Sequence, residues 1–103
     1  MTFTGRDRAE LRAEAHHLKP LVHIGQHGLT AAVRQSASDA LRTKELVKFQ
    51  VGKTASTTAK EAAGVCAAEL GAEVIQVIGR TFTLYRHNPD IARREGDVPP
   101  WRR

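Results

Sequence analysis

Residues 21–30 read Leu-Val-His-Ile-Gly-Gln-His-Gly-Leu-Thr. An apolar, β-branched run leads into two glycines spaced G-x-x-G, and a helical pattern begins straight after them. This commits the stretch to a strand–turn–helix unit. The first N–H groups of a helix have no intrahelical partner. Together with the partial positive charge of the helix start, they are suited to hold a phosphate. Gly25, Gln26, His27, Gly28, Leu29 and Thr30 are therefore the first candidate binding residues.

The rest of the chain supplies the elements around that unit. Thr4 and Asp7 resemble a capping box with Asp in the place of Glu or Gln. Leu11, Ala15 and Leu18 then recur at helical spacing among Arg6, Arg8, Glu10, Arg12 and Glu14. This helix is expected to end near His17, because Pro20 disfavours helical backbone at Lys19. Residues 21–24 carry few polar side chains and are read as a short, central, buried strand. Thr30 is the expected N-cap of a second helix with Val33, Ala37, Ala40 and Leu41 on its apolar face. Residues 45–51 alternate, so Val47, Phe49 and Val51 share one face of a strand. Residues 52–58 form a polar turn rich in hydroxyls. Thr58 and Glu61 fit a capping box, Ala59, Ala62, Ala63, Cys66 and Leu70 make one helical face, and Gly71 stops the helix. Residues 74–78 and 81–86 are β-branched and aromatic, and the Gly79-Arg80 pair between them suits a type II′ hairpin. The order α-β-α-β-α-β-β predicts an α/β fold, a two-layer sandwich with a mixed four-stranded sheet packed with about three helices. Residues 1–88 are expected to form one domain. Residues 89–103, with Pro99-Pro100 and several charges, are expected to form a flexible tail.

Length and composition narrow the class. A chain of 103 residues with 41% hydrophobic residues suffices for one globular core and not for two. Sixteen Lys and Arg against eleven Asp and Glu give a formal net charge of +5. That excess favours an anionic partner, nucleic acid first, although a solvated basic surface without a special partner fits it equally. One cysteine, Cys66, excludes an internal disulfide and fits a reducing compartment. The N-terminus lacks the apolar segment of a secretory signal, and no apolar run approaches the roughly 20 residues of a membrane span. The chain reads as soluble and cytoplasmic.

Catalytic and metal chemistry find little support. His23 and His27 are four apart across a strand and a turn, and the adjacent His16 and His17 point to different sides of their helix, so neither pair has zinc-ligand spacing. Cys66 sits among alanines and reads as a core thiol. Ser36, Ser38 and Ser56 lack a nucleophile elbow. A mononucleotide-phosphate loop would carry a lysine after its glycines, whereas Leu29-Thr30-Ala31-Ala32 follows here. Phe82 and Tyr85 can stack bases, but in a closing hairpin they are read as core. No catalytic residue, metal or cofactor is expected. Gln26 and His27 bring no fixed positive charge, so Lys and Arg elsewhere must complete a phosphate grip. The candidates are Arg34, Lys48, Arg80 and Arg86, with the arginines of the first helix.

Leu18-Lys19-Pro20, Val22 and Gly25-x-x-Gly28-Leu29-Thr30, followed by Glu45-Leu46-Val47-Lys48 and then Val77-Ile78-Gly79-Arg80-Thr81-Phe82-Thr83-Leu84-Tyr85-Arg86, resemble the CRM domain. The name abbreviates chloroplast RNA splicing and ribosome maturation, and the free-standing bacterial form is the YhbY type. The resemblance spans roughly residues 4–87. It implies a fold akin to the C-terminal domain of bacterial translation initiation factor three. It also implies a non-enzymatic, RNA-binding protein that associates with ribosomal RNA in large-subunit precursors and assists ribosome assembly; a monomer is expected. Two binding alternatives stand beside it, a generic KH-like RNA-binding module with a GxxG loop and a ribosome-bound protein-interaction module. A nucleotide-handling enzyme is the least favoured reading.

Overall fold

Thr30 and Thr58 start the two longer helices as their sequence context predicts. Thr30 Oγ1 accepts from Val33 N at 3.2 Å. Thr58 and Glu61 exchange both bonds of a capping box. The computed structural model describes residues 5–88. They form α1 (Gly5–Ala15), β1 (Val22–Ile24), α2 (Ala31–Lys44), β2 (Leu46–Val51), α3 (Ala59–Leu70), β3 (Glu73–Ile78) and β4 (Thr81–Tyr85). This is the expected order of three helices and four strands. The Thr4–Asp7 cap and the tail lie outside the described residues.

The sheet order is β1-β2-β4-β3, with β1 parallel to β2 and the other neighbours antiparallel. The mixed sheet follows from connection length. A two-residue link joins β3 to β4 as a hairpin, whereas β1 reaches the parallel β2 only through a helix. Gly79 takes φ +56 and Arg80 does not have positive φ, in keeping with a type II′ turn. One expectation is corrected. β1 is an edge strand, not a central one, because β2 gives its second side to β4. His23, and Leu21 just before the strand, are exposed while Val22 and Ile24 are buried.

Alternation along β2 and β4 builds the main core. Val47, Phe49, Val51, Phe82 and Leu84 pack against Ala37 and Leu41 of α2 and Ala59, Ala62, Ala63 and Cys66 of α3. The rings of Phe49 and Phe82 stack with centroids 4.6 Å apart. Burying each contributes roughly 1.5–3 kcal/mol. Phe82 and Tyr85 are 1% and 2% exposed, so both rings serve packing. The two-layer sandwich describes the sheet with α2 and α3. α1 adds a helix to the opposite face, where Leu11 meets Ile75, Tyr85 and Leu46. Arg8 fastens α1 to β3 through the Val74 carbonyl at 3.1 Å and the Glu73 carboxylate at 3.0 Å.

Candidate nucleic-acid interface

The register brings three loops to one end of the sheet. Ile24 is opposite Val51, and Gly52 N donates to Ile24 O at 2.9 Å. Val51 N donates to Arg80 O at 2.7 Å. The GxxG loop, residues 52–58 and the Gly79-Arg80 turn therefore lie side by side at the C-terminal ends of β1, β2 and β3. α2 and α3 both begin at this end, directly after their loops.

Within the GxxG loop, Gly28 N donates to Gly25 O at 3.0 Å and Thr30 N to Gly28 O at 3.0 Å. The N–H groups of Gln26, His27, Leu29, Ala31 and Ala32 have no acceptor among the described residues. Gln26 and His27 are exposed, with their Nε2 atoms 3.3 Å apart. Leu29 is half-buried against the core, and the Thr30 side chain is spent on its cap.

The two glycines differ in kind. Gly28 is buried at φ +68, and a Cβ there would stand 3.1 Å from Ser56 Oγ. The fold itself demands glycine at this point. Gly25 has no positive φ, is exposed, and would present a Cβ to open space.

The four cations proposed from sequence separate in space. Arg80 is exposed at the loop end and forms no ion pair among the described residues. Lys48 alternates with Val47 and Phe49 and so stands on the sheet face that α1 crosses. Arg34 is committed to Glu69 at 2.8 Å. Arg86 follows β4 at the far end of the sheet and donates to Leu70 O at 3.1 Å and Ser38 O at 3.0 Å. Of the first-helix arginines, Arg6 pairs with Glu10 and Arg8 with Glu73, whereas Arg12 is exposed and forms no ion pair among the described residues. The structure also adds a residue. Lys53, at the start of the second loop, is exposed and without an ion pair among the described residues. Read along the chain, it is one cation in a polar turn. Its nearness to the glycines comes from the β1–β2 pairing.

Among the described residues no group of three or more His, Cys, Asp or Glu could hold a metal ion. Cys66 is buried, and burial, with a smaller push from Glu69 and an opposing pull from Arg34, raises its thiol above the usual range. The recess beside the GxxG loop, lined by Leu21, Val22, His23, Ala32, Val33 and Ser36, encloses about 170 Å³. Small-molecule sites take roughly 300–1,000 Å³, so a mononucleotide substrate fits poorly there. No helix among the described residues is long and apolar enough to cross a membrane.

Comparison with known proteins agrees with this geometry. A sequence profile described as the CRS1/YhbY (CRM) domain matches residues 3–86. The chain is 28% identical over 88 residues to the probable RNA-binding protein YqeI of Bacillus subtilis, covering 85% of this chain and 92% of that protein. It is 33% identical over 85 residues to an RNA-binding protein of Haemophilus influenzae, covering 82% and 86%. The solution structure of the hypothetical protein SAV1595 from Staphylococcus aureus, described as a candidate RNA-binding protein, superposes with a TM-score of 0.74 at 28% identity, covering 95% of this chain and all of that one. With the profile spanning nearly the whole described domain, and with strand, glycine loop, helix and closing hairpin in place, the chain belongs to the CRS1/YhbY (CRM) domain family.

Proposed function

We propose that this protein binds RNA without catalysis, gripping the phosphate backbone at the GxxG loop, and that it assists assembly of the large ribosomal subunit by associating with its precursors. The observation that carries the first part is Gly25. Nothing in the fold requires glycine at an exposed position with ordinary φ and open space around it. A ligand that must approach the backbone closely does require it. The neighbouring N–H groups of Gln26 and His27 have no acceptor among the described residues. The relatives' descriptions as RNA-binding proteins support the same partner.

Backbone charge should govern the affinity. With roughly three to five phosphates neutralised at about −0.7 each, log K should fall against log salt with a slope near −2 to −3.5. Replacing Gln26 and His27 with two aspartates places negative charge where phosphate sits. It should abolish most binding while circular dichroism stays native. Unchanged affinity in the folded double variant would remove the loop from the interface, and a salt-independent affinity would point to base-edge or protein recognition.

The ribosomal part rests on family membership and on the field of a +5 protein. An incomplete particle exposes RNA backbone that later proteins cover, and its shape and protein contacts add to a modest grip. A tagged copy should sediment with large-subunit precursors in gradients from growing cells. If the protein stays at the top of the gradient at low salt, or follows small subunits alone, a general RNA-binding role replaces it.

A further inference from the structure

The GxxG loop has neighbours that the RNA reading alone does not use. Residues 52–58 follow β2, the strand beside β1, and Gly79-Arg80 precedes β4, the next strand across. The bonds Gly52 N to Ile24 O and Val51 N to Arg80 O hold these segments together. The Ser56 hydroxyl also lies against Gly28. Residues 24–30, 52–58 and 78–81 contain no Asp or Glu. The nearest carboxylate in sequence, Glu61, is held in the Thr58 capping box. Elsewhere, Glu73 takes Arg8, Glu69 takes Arg34 and Asp39 takes Arg42. Lys53 and Arg80 are exposed and without an acid among the described residues.

We propose that one RNA strand crosses this end of the sheet in the order GxxG loop, Lys53, Arg80, with the ammonium and the guanidinium each neutralising a phosphate beside the one held at residues 25–28. The inference rests on the RNA reading and extends it to a path. Adjacent strands lie about 4.8 Å apart, so β1 and β4 are separated by roughly 10 Å, a span that a few nucleotides of extended backbone cover. The four strands together are roughly 14 Å wide, so this end suits a single strand. Double-stranded RNA modules instead reach across about 16 base pairs. The two cations have different tasks. The guanidinium of Arg80 can take two phosphate oxygens at once, while Lys53 acts as a mobile point charge.

The test uses the full chain and a labelled oligouridylate of roughly ten nucleotides, within the range of single-strand site sizes, with a duplex of equal length beside it. Lys53→Ala and Arg80→Ala are each expected to weaken binding roughly fivefold at about 0.1 M salt and to lower the salt slope by about 0.7. The double variant should lose the product of the two effects, and the single strand should bind more tightly than the duplex. Lys44→Ala, at the opposite end of α2, should match the native protein. If Gln26→Asp with His27→Asp abolishes binding while either Lys53→Ala or Arg80→Ala leaves affinity and slope unchanged, the path is wrong and the GxxG grip stands. If the aspartates change nothing, the grip fails and the path fails with it. Tighter binding of the duplex would overturn the single-strand path.

Discussion

Ser56 Oγ lies 3.1 Å from the point that a β-carbon on Gly28 would occupy. This closeness brings the loop after β1 against the loop after β2. It also gives Gly28 two separate reasons to be glycine, the second being φ +68. Gly28→Ala should cost about 1–2 kcal/mol from the left-handed backbone, with a further loss from the Ser56 contact. Adding Ser56→Ala should recover the second part and leave the first. Gly25→Ala should leave the denaturation midpoint unchanged. Urea unfolding of these three variants beside the native protein checks this, and equal losses at Gly25 and Gly28 would refute the distinction.

Arg86 should behave as part of the frame. Its two terminal guanidinium nitrogens donate to Leu70 O at the end of α3 and Ser38 O in α2, while its N–H donates to Glu45 O. Bonds from charged donors contribute about 1.5–3 kcal/mol, so Arg86→Ala should destabilise by about 2 kcal/mol. Once folded, this variant should keep native RNA affinity and salt slope. A reduced slope with native stability would place Arg86 in the interface instead.

Features legible in the sequence were those set by neighbours a few residues away. The caps at Thr30, Thr58 and Gly71, the alternation of Val47, Phe49 and Val51, and the Gly79 turn are all of this kind. Long-range pairing was hidden. The edge position of β1 depends on β4 joining the other side of β2, which no local pattern encodes. α2 ends at Glu45 with φ +64, without a glycine. That backbone is held from far along the chain, where Asn88 N donates to Glu45 Oε2 at 2.7 Å and His87 Nδ1 lies 3.2 Å from it. The candidate site divides the same way. Its glycine loop is local, whereas separating Arg80 and Lys53 from Arg34 and Arg86 required the sheet register and the Glu69 pairing.

Cys66 offers a test of the core by pH. Burial raises its thiol, so the folded state holds that proton more tightly than the unfolded chain, whose reference value is 9.0. That contribution is complete below pH 9.0 and is lost as pH rises through the higher folded value. Stability should therefore fall in the alkaline range, and Cys66→Ala should flatten that part of the profile at the expense of a small cavity. Thiol reagents at neutral pH should react slowly with the native protein and fast in denaturant. Rapid native labelling would show that the face between α3 and the sheet opens readily.

Thr83 supplies the last test, because its buried Oγ1 has no hydrogen-bond partner among the described residues. It lies on β4 opposite Lys48, on the sheet face that α1 crosses, and is 1% exposed. A buried hydroxyl without a partner carries an uncompensated desolvation cost of about 1–3 kcal/mol. Valine keeps the branched shape and the strand preference while removing the oxygen. Thr83→Val should therefore raise stability by about 1 kcal/mol, which moves Tm upward by roughly 4–8 °C in a domain of this size. Thr83→Ala should fall below Thr83→Val, since it also gives up the packing of a methyl group. A loss of stability in Thr83→Val would show that the hydroxyl makes a bond beneath α1, and the underside of the sheet would then be polar where it is now read as packed.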